Sequence, residues 1–96
     1  MTVYEKLTAH RAEILRIAAR HGARNVRVFG SVARGEADER SDVDFLVEFE
    51  TGRSLFDHAA LLLDLEQLLE CEVDVITERA LRPRIRERIL REAVFL

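Results

Sequence analysis

The chain has 96 residues, 48% apolar and 34% charged, with a formal net charge of −3. That is one domain's worth of a globular protein, and it excludes a disordered chain and a protein with general affinity for nucleic acid. No apolar run is long enough to span a bilayer, and the N-terminus has no basic-then-apolar signal pattern. The single cysteine, Cys71, excludes an intrachain disulfide and suits a reducing, cytoplasmic compartment.

Thr2-Val3-Tyr4-Glu5 is a T-x-x-E capping box. The helix it opens places Leu7, Ile14, Ile17 and Ala18 on one side, and Gly22 stands where a left-handed C-terminal cap belongs. Residues 25–29 are short and β-branched, a first strand. Residues 30–35 read as a tight turn and the start of a short helix, and 36–41 as a solvated loop. Residues 42–49 carry the longest strand pattern, closed by a turn at Thr51-Gly52. Ser54-Leu55-Phe56-Asp57 is a second capping box, opening a helix that runs to about Glu70. Its apolar stripe is Leu55, Leu62, Leu65 and Leu69, widened by Leu61, Leu63 and Leu68. The surplus leucines leave room for a dimer or partner interface. Residues 72–76 form a third strand. Pro83 suits the first turn of a last helix, with Ile85, Ile89, Val94 and Leu96 inward.

The order helix, strand, short helix, strand, helix, strand, helix predicts an α+β fold in one domain over 1–96, a small mixed sheet flanked by helices. The unit from Asp42 to Ile76 should be a right-handed crossover between parallel strands. The link between the first two strands is too short for a crossover helix, so they should be antiparallel.

Two stretches carry the chemistry. In Val28-Phe29-Gly30-Ser31-Val32-Ala33-Arg34-Gly35, small residues let the backbone approach a ligand, and helix-start N–H groups suit phosphate oxygens. Gly30 and Ser31 would donate to the β- and γ-phosphates of a nucleotide, and Arg34 would add charge. In Ser41-Asp42-Val43-Asp44-Phe45-Leu46-Val47, strand alternation puts Asp42 and Asp44 on one face. Two adjacent carboxylates repel unless a hard cation, most simply Mg²⁺, lies between them. Asp74, flanked by Val73 and Val75, would join the same face if the third strand lies beside the second. Three carboxylates there can hold two Mg²⁺ ions. Each feature alone is weak: residues 30–35 lack the Gly-Lys-Ser/Thr of a Walker A loop. An isolated strand aspartate is commonly just solvated. Their order and register together make the case.

Gly30-Ser31, ten residues, Asp42-x-Asp44 and a later strand aspartate, Asp74, resemble the signature of the DNA polymerase β-like nucleotidyltransferases. The fuller string resembles the minimal nucleotidyltransferase antitoxins of HEPN toxin–antitoxin systems, over nearly the whole chain. That resemblance implies Asp42 and Asp44 as metal ligands, and Asp74 as third ligand and candidate base. It implies Gly30, Ser31 and Arg34 on the phosphates of ATP, and Ser41 orienting the metal-binding turn. It further implies transfer of AMP to a tyrosine hydroxyl of a HEPN-type toxin. The alternative is an antitoxin that neutralises its partner by binding alone. Transfer to a small molecule, or nucleic-acid polymerisation, needs a substrate-holding domain for which 96 residues leave no room.

With no acceptor pocket of its own, the chain should receive the acceptor on another protein. The docking edge is expected at loop 36–41, the turn over 51–53 and the arginine-bearing C-terminal segment. Those arginines read by default as the solvated face of an amphipathic helix, and more sharply as a contact for an acidic partner or RNA. His10, His21 and His58 lack metal-ligand spacing and read as surface or rim residues. Cys71 reads as a small core residue.

Overall fold

A computed structural model describes residues 2–38 and 41–96. The Thr2 hydroxyl accepts the Glu5 amide at 3.0 Å and opens α1 (Val3–Ala9). The expected N-terminal helix breaks at His10, then resumes as α2 (Arg11–Arg20). No proline or glycine announces that break in the sequence. Leu7, Ile14 and Ala18 are buried as expected, and Ile17 packs against them. Gly22 ends the helix at φ +75°, and a Cβ there would fall 2.1 Å from Nε of Arg53. The left-handed backbone demands glycine there, whereas the flexible Arg53 side chain could swing aside.

β1 (Ala23–Phe29) starts two residues earlier than the expected strand. It contains a bulge: Arg24 to Arg27 on β1 faces only Glu48 to Leu46 on the next strand, and Asn25 takes φ +52°. After the bulge, Val26 and Val28 face one side and Arg27 and Phe29 the other, and all four are buried. Residues 30–35 then make a single helical turn rather than a helix, with bonds from the Arg34 amide to Gly30 O and the Gly35 amide to Val32 O. Glu39, one of the acids of the expected loop, lies outside the described residues.

β2 (Val43–Phe49) runs antiparallel to β1, with Phe29 opposite Asp44. Ser54 caps α3 (Leu55–Leu69) through the expected box: Asp57 returns a carboxylate to the Ser54 amide at 2.9 Å. β3 (Val73–Thr77) is parallel to β2, with Val43 beside Val73 and Asp44 beside Asp74. After a 3₁₀ turn at Glu78–Ala80 comes α4 (Pro83–Glu92), with proline in its first turn. A short β4 (Val94–Phe95), which the sequence did not announce, pairs with β1 and completes a mixed sheet in the order β3-β2-β1-β4. Val94 is therefore an edge-strand residue, 42% exposed, and not part of the inner face of α4. Ile89 alone is fully inward on that helix.

One sheet face carries the main core, where Val28, Val43, Phe45, Val47, Val73 and Val75 meet Leu7, Ile14, Leu61, Leu65 and Leu69. Leu55 and Leu63 are solvent-exposed, contrary to the leucine stripe read from the sequence. The buried stripe is centred on positions 61, 65 and 69, and position 63 lies across the helix from it. His21 and His58 are half-buried connectors rather than rim residues. Nε2 of His21 meets Asp64 at 2.7 Å, and Nε2 of His58 donates to Val75 O at 2.6 Å. Cys71 is a free, half-buried thiol packed against the main core. The other sheet face carries only a small cluster, Phe29, Leu46, Leu81 and Ile89, roofed by α4. That face carries Asp44 and Asp74.

Candidate active site

β1 ends opposite Asp44, so the turn that follows it begins directly over that carboxylate. Gly30 there has φ +73°, and a Cβ on it would fall 2.3 Å from Oδ2 of Asp44. Glycine is required twice, by the left-handed backbone and by a carboxylate lying against its Cα. The amides of Ser31, Val32 and Ala33 make no hydrogen bond among the described residues, whereas those of Arg34, Gly35 and Glu36 are tied back into the turn. Three adjacent free donors beside acidic side chains suit phosphate oxygens bridged to a cation.

The parallel register sets Asp44 beside Asp74 on neighbouring strands, about 4.8 Å apart in backbone spacing. Burial, then the charge of Asp74 and a hydrogen bond to it, then Asp42, push the Asp44 carboxyl from 3.8 up to about 6. Arg34 pulls the other way. Two residues further back along each strand, Asp42 forms a second acidic rung with Glu72. The hydrogen bond and charge of Asp42 raise the Glu72 carboxyl, and Glu66 and Asp74 add to the effect. Glu72 was not singled out in the sequence, although its spacing of two from Asp74 was the available signal.

The acids therefore stand as two cross-strand pairs. Among the described residues no three of them already close around an ion. The donor set is nonetheless the kind Mg²⁺ takes: oxygens only, negatively charged, with Asp44 held near Asp74 at a cost that a cation removes. Asp42, Asp44 and Asp74 would hold it.

Arg34 lies at the edge of this site, where its charge reaches Asp44. Its guanidinium is clasped by Glu36 at 2.9 Å and by Glu92 of α4 at 2.5 Å. The two carboxylates hold it protonated and fix its direction. Glu92 is a second residue the sequence reading missed, because only the fold brings positions 34 and 92 together. Ser41 sits in the loop before β2, where its hydroxyl accepts the Asp38 amide at 3.0 Å. The same serine lines a shallow hollow with Lys6, His10 and Cys71, away from the turn over residues 30–35.

The turn over 51–53 does not border the acids. It lies beyond the far end of β2, where Arg53 packs on Gly22 and lines a cavity of about 650 Å³ with Thr77 and Arg79. Residues 45–50 separate it from Asp44, roughly 20 Å of extended chain, and Asp42 lies farther still.

A family model described as nucleotidyltransferase domain matches residues 11–96. The chain belongs to the nucleotidyltransferase family. Protein adenylyltransferase MntA of Thermococcus cleftensis is 44% identical over 90 residues, 94% of this chain and 88% of that protein. A Methanocaldococcus jannaschii protein, named as a candidate protein adenylyltransferase, is 46% identical over 82 residues, 85% of this chain and 88% of its own. A solved structure described as a candidate minimal nucleotidyltransferase superposes with a TM-score of 0.89 at 59% identity, covering 100% of this chain and 97% of the other. A toxin–antitoxin structure with AMP-PNP shares the fold, with a TM-score of 0.74 at 17% identity, over 88% of this chain and 69% of that one. In this nucleotidyltransferase the acids and the free amides flank one another on the open sheet face. Among its described residues no helix is long and apolar enough to cross a membrane.

Proposed function

We propose that this chain is a Mg²⁺-dependent protein adenylyltransferase of the cytoplasm. It moves AMP from ATP to a hydroxyl, a tyrosine in this reading, of a HEPN-type toxin, and so serves as its antitoxin. The observation that carries the reading is the in-register Asp44–Asp74 pair lying under the Gly30 turn. The names of the relatives from T. cleftensis and M. jannaschii support transfer to protein.

In this scheme the free amides of residues 31–33, the Ser31 hydroxyl and Arg34 hold the β- and γ-phosphates. Ser41 steadies the start of β2 through Asp38. When bound, Mg²⁺ would neutralise Asp42, Asp44 and Asp74 against the triphosphate. The acceptor oxygen attacks the α-phosphorus, the bond to the bridging oxygen of the β-phosphate breaks, and pyrophosphate leaves. The hydroxyl proton passes to Asp74, the exposed carboxylate of the pair.

The alternative, silencing by binding alone, has no use for like charges stacked in register on one face. The test is to incubate the chain with the toxin encoded beside it, ATP and Mg²⁺, and weigh both proteins. A mass gain of one or more AMP units on the toxin, absent with Asp42→Asn, supports transfer. Silencing without a mass change, equal in Asp42→Asn, would establish binding alone.

A further inference from the structure

Helix α4 crosses the open sheet face with Ile89 pointing down into the small cluster. Its flanks face different ends of the sheet. Arg86 turns towards Glu78 and the far cavity, whereas Glu92 turns towards Arg34 and the acidic site. On a helix, Arg84, Arg88 and Arg91 are spaced i, i+4, i+7 and form one stripe on the Glu92 side. All three are exposed, and none makes an ion pair among the described residues. The stripe spans about 10 Å along α4 and ends one residue before Glu92, which meets Arg34 beside the acidic site.

We infer that the Arg84–Arg88–Arg91 stripe docks an acidic helical face of the protein acceptor, placing carboxylates at matching spacing and holding the acceptor beside the cleft. The inference rests on the acceptor being a protein. Three unpartnered guanidinium groups in a chain of net charge −3 ask for discrete negative charges. Those charges must also stop short of the cleft floor, where Asp42, Asp44, Glu72 and Asp74 gather. A helix can place three carboxylates opposite the stripe and none opposite the acids. A nucleic acid cannot, because its phosphates recur along the whole strand. Ile85, 38% exposed and one turn from Arg88 on the same flank, gives a protein partner apolar contact as well.

The probe is a fluorescein-labelled helical peptide with glutamates at i, i+4 and i+7 and leucines beside them. It is titrated by anisotropy against the chain without nucleotide, alongside its glutamine counterpart and a 20-nucleotide RNA. The glutamate peptide should bind roughly tenfold tighter than the glutamine one. Arg84→Glu/Arg88→Glu should abolish that preference while leaving the circular dichroism spectrum unchanged, and Asp44→Asn should leave it intact. Because transfer is not read, a failure of adenylylation does not affect this result, and a failure here does not affect adenylylation. Equal binding of the two peptides, no binding of either, or RNA bound more tightly than peptide and lost in the double variant would each overturn the inference.

Discussion

Asp44→Asn should stabilise the metal-free protein at neutral pH. Folding raises the Asp44 carboxyl from 3.8 to about 6, through burial first and then the charge of Asp74. A raised acid binds its proton more tightly in the folded state, so ionised Asp44 opposes folding above about pH 6. At about 1.4 kcal/mol per pH unit the displacement is worth about 3 kcal/mol. The carboxyl is only half withdrawn from water, and screening reduces that to roughly 1 to 2 kcal/mol. The Arg34 attraction, which the substitution also removes, opposes the gain. Asparagine keeps the shape and can donate an N–H to Asp74. In a chain of this size the gain corresponds to a Tm about 4–10 °C higher. It should shrink as pH falls through 6 and vanish only below 3.8, where Asp44 is protonated in both states of the parent. The assay is differential scanning fluorimetry in EDTA from pH 8 to about pH 3, parent against variant. Mg²⁺ with a non-hydrolysable ATP analogue should reverse the order, because only the parent keeps all its ligands. A Tm difference that is zero at pH 8, or independent of pH, would refute the argument that Asp44 and Asp74 are a compressed pair.

Gly30→Ala should cost about 1–3 kcal/mol through its left-handed backbone and displace Asp44, lowering kcat far more than Tm; a matched loss of both would make Gly30 merely structural. Arg34→Ala should raise the KM for ATP roughly tenfold or more with little change in Tm, by steady-state kinetics. Asp42→Asn and Asp74→Asn should each abolish label transfer from α-labelled ATP with circular dichroism unchanged, and full activity in either would remove that residue from the mechanism. Ile89→Ala should cost about 2–4 kcal/mol in urea unfolding, because Ile89 is the buried anchor of α4.

What the sequence made legible follows the range of each signal. The capping residues of α1 and α3, the strand alternations and the aspartates at 42, 44 and 74 are local patterns, and each stands where the pattern put it. The antiparallel pairing of β1 with β2 and the parallel pairing of β2 with β3 followed from connection length. The break at His10 carries no residue with an unusual backbone preference. Two residues of β4 carry too short a pattern to read, and the strand exists because β1 offers a free edge. Leu55 and Leu63 misled because a leucine-rich helix has more apolar residues than one buried face can take. Glu92 matters through Arg34, a pairing invisible before the fold is known, whereas Glu72 did carry a local signal in its spacing of two from Asp74.

α4 is fastened at three points: Ile89 in the small core, Arg86 through Glu78, and Glu92 through Arg34. Glu78 also takes the Arg27 guanidinium at 2.7 Å, and Arg27 is buried in β1 beneath the ring of Phe95. Buried charge of that kind is costly unless paired, so Glu78 is held firmly in place. The last contact, between Glu92 and Arg34, joins the helix to the turn over residues 30–35. Movement of α4 is therefore movement of Arg34, whose charge reaches Asp44. An acceptor gripping the outer flank of the same helix would act on a lever whose inner end is Arg34. If the acceptor docks on α4 and Arg34 holds phosphate, as proposed, the acceptor's fit to α4 should weigh on kcat as well as on KM.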